Sequence, residues 1–188
     1  MTADPAASSP ALQTPRLRLR LPAIADGAFF LELLNDPFFV RFTGDRGIRD
    51  LAGAQGYVTD RLLPTYATHG FTLLLVERRS DGIPLGICGL VQRTYLDAPD
   101  LGFGFLARHC RQGYGYESAT AVMADARKHL RLQKIYGLTS EDNLGSLRLL
   151  QKLGFKIEAH EQFPGLDHLS VVLVNAPLNR PAPARDSS

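Results

Sequence analysis

What this chain can fold into is constrained most by residues 101–130. Leu101-Gly102-Phe103-Gly104-Phe105-Leu106-Ala107 is an aromatic and aliphatic run bounded by Pro99 and a basic turn, which predicts a strand. From Ser118 to Leu130, the residues Ala119, Val122, Met123, Ala126 and Leu130 recur at helical spacing, with Asp125, Arg127 and Lys128 elsewhere on the wheel. Arg108 to Glu117 join the two through Gly113 and Gly115. The first amides of a helix have no acceptor inside it, and they lie at the positive end of its dipole. The glycines permit a tight turn and let a ligand approach the backbone, and Arg111 adds a full charge. The junction is therefore a candidate diphosphate cradle. A plain glycine turn is the competing reading. A third glycine and a Gly-Lys-Ser/Thr sequence are both missing, so neither the Rossmann fingerprint nor a P-loop is present.

At 188 residues, 45% of them hydrophobic and 21% charged, the chain is sized for one domain with a sizeable core. A formal net charge of +2 argues against nucleic acid and an anionic membrane surface, so a bound anion must be met locally. Cys88 and Cys110 make neither a disulfide framework nor metal-ligand spacing, and no metal is expected; the usage fits a reducing, cytoplasmic setting. Residues 1–13 lack the apolar core of a signal peptide, and no run approaches a membrane span.

Residues 1–13 and 177–188 read as disordered tails around a domain at 14–176. Arg16-Leu17-Arg18-Leu19-Arg20-Leu21 alternates strictly, predicting a strand with leucines inward and a solvated arginine face. Asp26 and Asp36-Pro37 read as helix caps, and a further helix spans Asp50 to Leu63, ended by Pro64. Strands at 71–77 and 83–92 are joined by a hairpin carrying Asp81-Gly82. After the cradle helix come a strand at 134–139, a helix at 143–153 stopped by Gly154, and two closing strands at 155–159 and 168–175. Hairpins followed by strand–helix alternation predict an α/β (α+β) fold: one mixed sheet of about seven strands with helices on both faces. The crossover through the cradle helix makes the fourth and fifth strands parallel and adjacent.

The order of these elements resembles the GNAT superfamily of acetyl-CoA-dependent N-acetyltransferases. So do Gln112-Gly113-Tyr114-Gly115-Tyr116-Glu117, and Asn143 to Ser146 followed by Leu150 to Phe155. Thr14-Pro15-Arg16-Leu17, Asp26 and Asn35-Asp36-Pro37 resemble the branch that includes the ribosomal-protein N-terminal acetyltransferases. The resemblance covers residues 14–176 and implies an acyl-CoA N-acyltransferase-like sheet that splays between its fourth and fifth strands. It implies that amides of Arg111, Gln112, Gly113, Tyr114, Gly115 and Tyr116 hold the diphosphate of coenzyme A, with the pantetheine arm along Phe105 and Leu106. Cys110 departs from the family, which often has Gln or Arg three residues before the first glycine.

The implied reaction is direct acetyl transfer to a primary amine of a protein N-terminus or small molecule. A backbone amide near Phe105 is the implied oxyanion donor. Asn143 and Ser146 share a helix face: Asn143 either caps the helix or orients the arm, and Ser146 either bonds backbone or protonates the leaving sulfur. Asp100, where this branch often has Glu, is either the base or, more readily, a solvated strand-end charge, with Glu77, His69 and His168 behind it as bases and Asp167 as an amine-recognition candidate. Residues 26–66 and the Phe163–Asp167 loop are expected to shape the acceptor site, and a homodimer is compatible with the resemblance. A non-catalytic acyl-CoA-binding module and a nucleotide-binding domain stand as alternatives.

Overall fold

The computed structural model describes residues 11–163 and 169–176. Their strands form one eight-stranded sheet of order β1-β2-β3-β4-β5-β6-β8-β7. The strands are β1 (Leu12–Gln13), β2 (Leu17–Arg20), β3 (Leu73–Arg78), β4 (Pro84–Val91), β5 (Asp100–Phe105), β6 (Ile135–Ser140), β7 (Lys156–Glu161) and β8 (Ser170–Asn175). The additional strand is β1, which the alanine- and proline-rich start concealed; its two residues pair with Leu19 and Arg18. Successive strands from β1 through β5 pair antiparallel with one another. β8 returns between β6 and β7, antiparallel to both.

The helices are α1 (Gly27–Asn35), α2 (Pro37–Thr43), α3 (Leu51–Tyr57), α4 (Leu63–His69), α5 (Tyr114–Lys128) and α6 (Leu144–Lys152). They lie on both sheet faces because strand side chains alternate. Along β3, Leu74 and Val76 join the core beneath α5 and α6, whereas Leu75 joins Phe30, Leu33, Ala54 and Val58 of α1 and the α3 region. Pro64 does not stop the third helix as its chemistry predicts. Val58–Leu62 widen into a π-helical segment, and Pro64 falls in the first turn of α4, where no intrahelical amide is required. Asp26 does not cap α1 with its side chain; it accepts from Arg20 and from the Ala23 amide instead.

Asp36 caps α2 as expected, accepting from the amides of Phe38 at 2.9 Å and Phe39 at 3.2 Å. Its other oxygen accepts from the Ala107 amide at 3.1 Å, tying α2 to the chain leaving β5. Asp36→Ala removes all three bonds, and a urea melt should show a loss of about 1–2 kcal/mol.

Candidate functional site

β5 and β6 are parallel neighbours joined at a single register position, Asp100 with Tyr136. Beyond it β5 stays paired with β4 up to Phe105, and β6 stays paired with β8 up to Ser140. The edges facing each other across this gap therefore carry backbone groups with no strand partner among the described residues. Tyr136 donates to the Pro99 carbonyl at 2.9 Å, while the Leu106 amide is turned to Leu85 at 3.1 Å. Alternation along the strand then points the amides and carbonyls of Phe103 and Phe105 into the gap. Leu106 faces the other way, and its carbonyl accepts from His109 at 2.8 Å. Of the two residues expected along an arm, Phe105 offers its amide to the gap and Leu106 does not. Phe103, passed over in the sequence, was reachable by counting two back from Phe105.

Gly104 lets α2 approach β5: a Cβ there would stand 2.3 Å from Phe39. After β5 a short 3-10 turn, Ala107–His109, leads into the basic turn. α5 begins at Tyr114, four residues before the expected Ser118, so Tyr114 to Glu117 form its first turn. The apolar periodicity is legible only from Ser118 because Gly115, exposed Tyr116 and Glu117 interrupt it, although Tyr114 is itself buried in the core. Arg111 and Gly113 both have left-handed backbone, at φ 59 and 82. For arginine that conformation is uncommon and marks local strain. Among the described residues, no acceptor is found for the amides of residues 111–116. Gly115 faces both β5 and α6, because a Cβ on it would lie 3.0 Å from Leu149 and 3.6 Å from Phe105. The turn, the end of β5 and α6 thus meet at one place.

Asn143 caps α6, accepting from the Ser146 amide at 3.1 Å. The Ser146 hydroxyl has no hydrogen-bond partner among the described residues, so it does not make the expected local backbone bond. Ser146 lies three residues before Leu149 and shares its face, which points to the turn. Cys110 is half-buried with its Sγ 3.6 Å from the Leu106 carbonyl, and burial pushes its thiol upward.

Asp100 sits at the closed end of the gap, 2% exposed. Both carboxylate oxygens are engaged by Arg93, at 2.8 and 3.3 Å, and Arg93 also donates to the Tyr95 hydroxyl at 3.1 Å. Burial raises the Asp100 carboxyl above the ordinary range, against the pull of Arg93. The weaker base candidates are elsewhere: Glu77 is bound by Arg20, and exposed His69 stacks on Phe71. Asp167 and His168 lie outside the described residues. Of the segments expected to face an acceptor, α2 presents an exposed Phe38 set edge-on against Phe42. Beside α3 is a cavity of about 370 Å³ whose wall includes Arg46, Tyr57, Asp60 and Arg61.

A sheet parted at one parallel pair, beside a left-handed glycine turn that opens a helix, is the arrangement of an acyltransferase fold. The acetyltransferase (GNAT) domain family matches residues 16–156, three quarters of the chain, and the chain belongs to this family. It is similar to YkkB of Bacillus subtilis (strain 168), an uncharacterized protein, at 28% identity over 146 residues, 76% of this chain and 83% of that one. Among solved structures it is similar to an acetyltransferase from Agrobacterium tumefaciens str. C58, with TM-score 0.76, 23% identity and coverage of 93% and 99%. It is also similar to RimL, the ribosomal L7/L12 alpha-N-protein acetyltransferase in complex with coenzyme A, with TM-score 0.76, 14% identity and coverage of 89% and 98%. No described helix is long and apolar enough to cross a membrane.

Proposed function

We propose that this acetyltransferase moves the acetyl group of acetyl-CoA onto a primary amine, the N-terminus of a protein or a small molecule. The carrying observation is the gap that opens after Asp100 and Tyr136, next to the amides of residues 111–116, which find no acceptor among the described residues. The residues fit the cofactor. An extended arm with amide groups can pair with Phe103 and Phe105 as a strand would, and a diphosphate can accept from the amides of Arg111, Gln112, Gly113, Tyr114, Gly115 and Tyr116. RimL, similar in fold, is a coenzyme A complex, which supports the same ligand here.

Acetyl-CoA, when bound, supplies an activated acyl group. The Phe105 amide is placed on the gap edge to donate to the acyl oxygen where negative charge develops. The Ser146 hydroxyl, without a partner among the described residues and on the α6 face nearest the turn, is the proton donor to the departing sulfur. Asn143 positions it by holding the α6 start. Asp100, enclosed by Arg93, serves this chemistry by fixing the closed end of the gap; a base role would require its proton to pass through an ion pair. The incoming amine loses its proton to solvent at the open side.

Isothermal titration with coenzyme A tests the reading, followed by thiol release from acetyl-CoA in the presence of an amine library. Micromolar binding and amine-dependent release are expected; absence of binding at millimolar ligand rejects the assignment. Binding without release for any amine would leave the non-catalytic acyl-CoA module as the better description. Ser146→Ala should lower kcat about tenfold with KM for acetyl-CoA nearly unchanged.

A further inference from the structure

The alternating arginines at the start of the domain read as one solvated strand face, yet their surroundings differ. Arg20 is bound by Asp26 and Glu77, and Arg18 is exposed. Arg16 is turned onto the glycine turn. Its Nε pairs with Glu117 at 2.6 Å, its Nη1 donates to the Gln112 carbonyl at 3.1 Å, and its guanidinium lies 4.7 Å over the Tyr114 ring. Its Nη2 stands 3.2 Å from where a Cβ on Gly113 would project. A guanidinium has five N–H groups, so three of them, one on Nη1 and both on Nη2, have no partner among the described residues.

Glu117 is held just as firmly. Its carboxylate accepts from the Thr14 hydroxyl at 2.5 Å, the Arg16 amide at 2.9 Å and the Arg16 Nε at 2.6 Å. Burial pushes this carboxyl up, but those three donors outweigh it and hold it below the ordinary range. A carboxylate in the first turns of α5 would oppose an anion at the helix start, and Arg16 neutralises it there. Among the described residues, the side chain that does so keeps unpaired N–H groups beside Gly113, where the amides of residues 111–116 also lack acceptors.

We propose that Arg16 is a cofactor-binding residue that donates to the diphosphate of acetyl-CoA. Glu117, the Gln112 carbonyl and the Tyr114 ring lock its guanidinium in place before the ligand arrives. This rests on the coenzyme A reading above. A guanidinium fork matches phosphate geometry, and one already fixed by its own protein loses little freedom on binding. Thr14 and Glu117 are positioning residues for it. The charge that Cys110 does not supply to this turn thus comes from the other end of the chain.

The test is calorimetry of the full chain with coenzyme A and 3′-dephospho-coenzyme A, together with turnover of acetyl-pantetheine, which lacks the diphosphate. Arg16→Ala should weaken both nucleotide ligands about tenfold and leave acetyl-pantetheine turnover within about twofold. Arg16→Lys should recover part of the loss, and Arg18→Ala should bind as the wild type does. Against a Glu117→Gln background, Arg16→Ala should still weaken binding about tenfold. Recovery of full affinity in that double variant would reduce Arg16 to a neutraliser of Glu117 and overturn the proposal. So would a loss seen with coenzyme A but not its dephospho form, or an equal loss on acetyl-pantetheine, which would mark a folding effect. A wild-type chain that does not bind coenzyme A removes the underlying reading. Wild-type binding with an unaffected Arg16→Ala variant removes only the role of Arg16.

Discussion

Gly113→Asp is expected to abolish measurable coenzyme A binding while leaving the fold as stable as before. Gly113 has φ 82 and ψ 0 at the residue preceding α5. Aspartate is among the few residues that accept left-handed backbone, and a negative charge at a helix start is favourable. A side chain there would project toward the Arg16 Nη2, 3.2 Å from its Cβ. The new carboxylate therefore meets the same guanidinium and first-turn amides proposed for the diphosphate, and acts as an internal competitor. Losing two charge-assisted hydrogen bonds and adding like charge corresponds to at least about 3 kcal/mol, more than a hundredfold in affinity. The midpoint of thermal unfolding should move by no more than about 1 kcal/mol equivalent. Gly113→Asn, the same shape without charge, should lose less than about tenfold. An aspartate variant that binds coenzyme A as tightly as the wild type would show that the diphosphate does not sit at this turn.

The sequence made the turn legible because it concentrates features with few other causes: two glycines, a basic residue and a strand-to-helix change of period. The leucines of β2 and the Asp81-Gly82 hairpin were legible for the same reason, since each local pattern agrees with the final packing. Three things were not. The π-helical segment at Val58–Leu62 depends on how a whole helical run settles onto Phe30 and Leu33, and no local residue announces it. The direction of Leu106 follows from strand alternation, which is fixed only once the Leu85 partner is known. The different surroundings of Arg16, Arg18 and Arg20 are set by Glu117 and Glu77, residues distant in the chain. Periodicity identifies which side of a strand a side chain leaves from, but not what waits for it there.

Asp100 illustrates the same limit with a larger energetic consequence. A carboxylate at the start of β5 reads as a base or, more readily, as a solvated strand end. The structure instead encloses it, 2% exposed, with Arg93 on both oxygens, where β4, β5 and β6 come together. Arg93→Met should therefore destabilise the protein by about 3 kcal/mol at pH 7, because it leaves a buried charge unpaired. The pH dependence follows from the direction of the Asp100 shift. Burial holds its folded pKa above the unfolded value of 3.8, so the native state keeps the proton longer as pH rises. This group contributes its full stability below that value and loses it as pH climbs through the raised pKa. Removing Arg93 deletes the opposing charge and raises the pKa further. The deficit of Arg93→Met relative to wild type should then shrink as pH falls from 7 toward 5, in paired urea melts. Adding Asp100→Asn should recover most of the loss at pH 7 and flatten the pH dependence. A deficit that stays constant with pH, or a double variant no better than the single, would mean that the destabilisation comes from lost contacts with Tyr95 and not from an isolated carboxylate. If Asp100 is an anchor and not the base, the Arg93→Met, Asp100→Asn protein should also keep amine-dependent thiol release within about tenfold of the wild type, which a missing general base would not permit.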